Sequence, residues 1–233
     1  MTSKPRFGRR AAFAGLAATW ALAGCAAVSG TRAAAGGTRG GRLTAILDGM
    51  DVGSLWLPGY PIAWRTGRAR GPIQTTPGGH THCSAFAAAA ADRLGIYLLR
   101  PPEHGQNWLA NAQEEWLNGA PGGRVTAREA GWERIGRLAE PGAAQSAIAR
   151  ANEGHLVLAV YFQPPRDGRQ RSGHVAIVRP SEKPGDRVRE EGPDVMQTGG
   201  QNHRSVPMRA GFAAHRDAWA TGAIGFFWNH AIA

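Results

Sequence analysis

The chain has 233 residues, 42% of them hydrophobic and 19% charged, with a formal net charge of +10 and only two cysteines. There is enough apolar bulk for a packed core, which excludes an unstructured polar chain, and too few cysteines for a disulfide framework. The basic excess favours partners that carry carboxylates or phosphates, but no basic stripe with interleaved aromatics appears, so no nucleic-acid partner is expected.

Residues 1–24 read as a removable export signal. Lys4, Arg6, Arg9 and Arg10 form a basic start with no acidic residue, and Ala11 to Leu22 follow as a mostly apolar run. That run of about a dozen residues is too short for a bilayer, which takes roughly 20. It ends in Leu22-Ala23-Gly24-Cys25, which resembles the lipobox of bacterial lipoprotein signals and implies a lipid on Cys25. Arg9-Arg10 with Phe13 is similar to a loose twin-arginine signal, but Gly8 stands where a serine is usual, which leaves the export route open. Removing the four basic residues of the signal leaves 23 basic against 17 acidic, an excess of six. Residues 25–42 then read as a lipidated cysteine and a flexible Ala/Gly/Thr tether, and 43–233 as a single domain.

Within that domain, residues 51–64 read as an ordered but irregular segment and 67–79 as a loop. Residues 83–94, CSAFAAAAADRL, predict an alanine-rich helix closed by Gly95. Residues 107–117 predict a second helix, with Trp108, Leu109, Ala112 and Trp116 on one face. A third spans 141–152, opened by Pro141. The β-branched and aromatic run His155 to Phe162 predicts a buried strand, and Gly173 to Arg179, Asp194 to Thr198 and Gly225 to Trp228 predict three more. The charged stretch Pro180 to Pro193 reads as a solvent-facing excursion. Helices followed by strands with short links imply an α+β domain with an antiparallel sheet.

If Cys25 carries a lipid, Cys83 is left alone in an oxidising compartment, where an unpaired thiol calls for a reason. Cys83 opens its helix, where partial positive charge and free N–H groups favour a thiolate. A nucleophilic thiol needs an imidazole to take its proton and return it to the leaving amine, and His174 at the start of an apolar strand fills that place. A third polar group must orient the ring; Gln197 on the next short strand can do so if the two strands form a hairpin, with Asn202 as the substitute. His80, His82 and His104 lie near Cys83 without the ligand spacing of a zinc motif, so no metal or other cofactor is called for. His155, His203, His215 and His230 read as surface or satisfied core residues. Trp56, Trp64, Trp108 and Trp116 read as core.

THCSAFAAAAADRLGI resembles the cysteine-bearing helix of CHAP-type and NlpC-like peptidoglycan hydrolases, which are papain-related, and SGHVAIVRP resembles their histidine strand. The third residue of those families stands early on the following strand, which here falls on Gln197 in VMQTGGQN. The resemblance covers roughly residues 80 to 202. It implies a papain-like domain whose cysteine helix packs on an antiparallel sheet, with Cys83, His174 and Gln197 as the catalytic residues. The implied activity is hydrolysis of amide bonds in peptidoglycan stem peptides, by amidase or endopeptidase action. The implied setting is the cell envelope: a monomer held to the membrane through Cys25, on the outer membrane facing the periplasm since Ala26 rather than aspartate follows the cysteine. Two rival readings keep the scaffold: a thiol acyltransferase acting on an envelope lipid or amine, and a non-catalytic envelope lipoprotein that binds wall or partner.

Overall fold

The computed structural model describes residues 37–74 and 81–233; the signal, Cys25 and His80 lie outside these residues. The order of elements is α1 (Arg39–Asp48), α2 (Cys83–Arg93), α3 (Leu109–Leu117), β1 (Trp132–Arg137), α4 (Ala143–Asn152), β2 (His155–Tyr161), β3 (His174–Val178), α5 (Gly185–Glu191), β4 (Asp194–Gln197), β5 (His203–Pro207), α6 (Met208–Gly211), α7 (Arg216–Ala220) and β6 (Gly225–Ile232). The strands form one six-stranded sheet in the order β1-β6-β2-β3-β4-β5, and every neighbouring pair is antiparallel. The chain is therefore of the mixed α+β class.

The pleat sends alternate side chains to opposite faces, so each strand feeds two apolar layers. On one face Leu156, Leu158, Val160, Val175, Ile177, Met196 and Phe227 pack against α1, α2 and α3. On the other, Val157, Ala159, Ala176, Val178, Val195 and Phe226 pack against α4 and the α6–α7 region. β2 is buried along its whole length because it lies between helices on both sides. Helix α2 is buried over nine consecutive residues, and its run of alanines lets the backbone lie close to the sheet while Phe86 fills the gap beneath Trp56. Gly95, at φ 71°, accepts the left-handed turn that ends the helix.

Several expectations need correcting. The tether does not extend to residue 42: α1 begins at Arg39, capped by the Thr38 hydroxyl, which accepts from the Gly41 N–H. Gly40 is buried against α4, where a Cβ would lie 2.7 Å from the Asn152 carbonyl oxygen, so this glycine serves close packing and not flexibility. The charged excursion contains the helix α5, anchored by Val188 in the core, with Lys183 paired to Glu191 and Asp194. Trp108 stands outside α3 as its cap at φ 64° and is 41% exposed, so it is neither on the apolar face nor in the core. Trp64 is only half-buried, whereas Trp56 and Trp116 are core as expected. The irregular segment 51–74 docks through Trp56, and no helix among the described residues is long and apolar enough to cross a membrane.

Candidate active site

Cys83 is the first residue of α2. The cap residue His82 offers no side-chain bond to the helix, because its Nε2 is held at 2.8 Å from the Tyr60 carbonyl oxygen. The first helical bond runs from the Phe86 N–H to the His82 carbonyl, so the N–H groups of Cys83, Ser84 and Ala85 have no partner within the helix. Backbone N–H groups of Val175, the residue after His174 on β3, of Ser84 and of Cys83 itself act on the Cys83 thiol and favour its ionised form. The thiol therefore abuts the start of the histidine strand. Gln113 on α3 fixes the other side of this turn, donating to the carbonyls of Ser84 and Leu99.

The backbone just before His174 is tightly packed. Gly173 precedes it where any Cβ would lie 2.1 Å from the Tyr161 carbonyl oxygen and 2.4 Å from Asn111 Oδ1. Buried Asn111 donates to the carbonyls of Gln163 and Arg171 and accepts from the Gln163 N–H, tying together both ends of the link between β2 and β3. On the next strand Gln197 meets the imidazole: His174 Nε2 and Gln197 Oε1 are 2.9 Å apart. With Oε1 accepting from Nε2–H, Nδ1 carries the lone pair and is the nitrogen able to accept a proton. Gly211 on α6 makes room for this amide, since a Cβ there would lie 2.7 Å from Oε1. Asn202, the substitute third residue, is not at the ring. It reaches the carbonyls of Val52, Leu55 and Trp56 and binds the irregular segment to the loop after β4.

The structure thus joins His174 to Gln197 and places Cys83 beside β3, but no hydrogen bond among the described residues links the thiol to the imidazole. The ring instead lies edge-on to Phe212 at 4.7 Å and stacked on His215 at 5.4 Å. Electrostatically, the resting site is neutral. Burial raises the Cys83 thiol above its ordinary value, and the three N–H groups only partly offset this, so the helix end alone does not hold a thiolate. Burial also lowers His174, against the opposing effect of Gln197.

His215 was expected to be surface or plain core. It is part of this site: its Nδ1 lies 3.0 Å from Gln163 Oε1, its ring contacts Tyr161, and burial together with His174 and Arg171 lowers it from 6.5 to about 4. No local motif marks it, because its partners lie on distant segments. Of the other histidines, His155 packs edge-on to Trp228 and His230 pairs with Glu133. A cleft of about 500 Å³ opens at the His174–Gln197 pair, lined also by Gln201, His203, Gly211 and His215. A scan against protein-family models and a search of curated proteins found no match.

Proposed function

We propose that this chain is a cysteine hydrolase of amide bonds, acting on stem peptides of peptidoglycan at the cell envelope, on a papain-like scaffold and anchored by a lipid on Cys25. The observation that supports the reading best is the His174–Gln197 pair, which stands on the strand whose next residue, Val175, packs in the same core layer as Cys83, although the His174 ring itself contacts Phe212 and His215 on the other face of the sheet. In the reaction, the Cys83 proton passes to His174 Nδ1 as the sulfur attacks the carbonyl carbon. The oxyanion is held by N–H groups of the first turn of α2, which sulfur gives up as it bonds to carbon. The tetrahedral adduct collapses, the amine leaves with the proton from His174, and a thioester remains. Water, deprotonated by the same ring, then releases the acid and restores the thiol. Because thiol and imidazole both rest neutral, the nucleophile is made during attack and not stored as an ion pair.

One observation favours a second reading, a binding scaffold without catalysis: Cys83 is only 4% exposed and its thiol is held in the protonated form. The rate of Cys83 alkylation by iodoacetamide across pH, with and without His174→Ala, separates the two, followed by digestion of purified wall fragments. Labelling that slows in the variant, with fragment cleavage lost in both Cys83→Ala and His174→Ala, supports the hydrolase. Labelling indifferent to His174, with no cleavage by the unaltered chain, supports the scaffold.

A further inference from the structure

The turn that joins α6 to α7 has two sides. One closes the His174 cleft through Gly211, Ala213 and His215. The other opens into a separate cavity of about 290 Å³, lined by Arg209, Phe212, Ala213, Arg216 and Trp219. Phe212 is fully buried and Trp219 half-buried, so the apolar part of this cavity is recessed. The Trp219 ring is fixed from behind, where a Cβ on Gly192 would lie 3.2 Å from its Cζ3. The Phe212 N–H donates to the Met208 carbonyl, and the Phe212 carbonyl accepts from the His215 N–H, which pins the turn at both ends. Arg209 and Arg216 stand exposed at the rim, and no carboxylate lines the space. Arg209 lies 5.7 Å from the centre of the Trp219 ring and reaches only the Glu190 carbonyl, at 3.5 Å. Arg216 has no ion pair, hydrogen bond or ring contact among the described residues. Two guanidiniums without a counter-charge beside a preformed aromatic wall are complementary to an oxyanion carried on a flat ring. A membrane surface fits less well, because it takes apolar side chains that project. The large ones exposed here, Leu57, Ile73, Trp108, Val125 and Ile232, do not line this cavity.

We propose that the cavity between α6 and α7 binds a small aromatic acid. The ring lies against Phe212 and Trp219, and the carboxylate is held by Arg209 and Arg216. The volume falls just below the range of drug-sized sites, which begins at about 300 Å³, so the occupant is compact. Neither Cys83 nor His174 lines the cavity, so the assignment is independent of the hydrolase reading. Phe212 also meets the His174 ring edge-on at 4.7 Å, and Ala213 lines both spaces, so the occupant sits one side chain away from the imidazole.

The test is calorimetric titration of the full chain with naphthoate. The comparisons are naphthamide, which keeps the rings without the charge, and acetate, which keeps the charge without the rings. Loss of a charge-assisted pair predicts that the amide binds about tenfold more weakly than the acid, and acetate gives no measurable heat at the same concentrations. Arg209→Gln combined with Arg216→Gln brings acid and amide within about threefold of each other. Trp219→Leu weakens both about fivefold. The paired arginine variant, altered only at exposed side chains, keeps the test decisive should Trp219→Leu fail to fold, and urea unfolding checks that each variant is native. Equal binding of acid and amide, or discrimination that survives the loss of both arginines, overturns the site. So does arginine-dependent binding to vesicles of anionic phospholipid with no binding of naphthoate, which would make this face a membrane contact.

Discussion

His215 should make this protein acid-sensitive in a way that one substitution removes. Its imidazole is lowered from 6.5 to about 4, first by burial and then by the charges of His174 and Arg171. The folded state therefore resists a proton that the unfolded chain takes up near pH 6.5. Stability from the neutral ring is fully present above that value and is lost as pH falls from 6.5 towards 4. Between pH 7.5 and pH 4.5 the shift amounts to about 2–3 kcal/mol, and nearer 2 once the ring's partial exposure is allowed for. His215→Phe keeps a ring against His174 and Tyr161 but carries no proton. The assay is urea unfolding of both proteins at pH 7.5 and 4.5, where a difference of about 2 kcal/mol moves the midpoint by about 1 M. Titrating groups away from the His174–His215 stack contribute to both proteins and cancel in the comparison. If the two lose stability in parallel, to within about 0.5 kcal/mol, then His215 is not held neutral by its surroundings and the argument from burial fails.

Two further outcomes follow from buried polar contacts. Gln197→Leu removes the acceptor of a buried imidazole N–H; it costs about 1–3 kcal/mol in urea unfolding and slows wall-fragment cleavage by about tenfold or more, whereas Gln197→Glu keeps the acceptor and raises the His174 pKa followed by NMR titration. Asp48 bridges Arg179 and Arg204 at 2.8 and 2.6 Å and is held below the usual carboxylate value, mainly by its bond to Arg204. Asp48→Ala leaves Arg179 buried without its partner and costs about 2–4 kcal/mol at pH 7; because the folded carboxyl is depressed, the gap between variant and parent narrows as pH falls below about 3.8.

The residues that carry local pattern were legible: α2 from its alanines and closing glycine, β2 and β3 from their β-branched runs, and His174 and Gln197 as neighbours across a hairpin. What escaped was set by tertiary context. β1, WERIGR, and β5, HRSVP, are edge strands with polar side chains open to water, so neither shows the apolar signal of a buried strand. α1 carries two glycines, which suggest a tether until the contact of Gly40 with α4 is seen. His215 belongs to the site through Gln163, 52 residues away, a separation that no motif spans. The protonation of Cys83 was misjudged for the same kind of reason: position at a helix end is visible in sequence, but the degree of burial that opposes it is not.

The sheet order also has a temporal meaning. β6, which follows every other strand in the chain, lies between β1 and β2, one strand in from the edge of the sheet. Until β6 is in place, the β2–β5 array and the solitary β1 have no strand pairing with each other. Joining β1 to the rest of the sheet waits for β6, and losing those eight residues would split the sheet and not merely trim an edge.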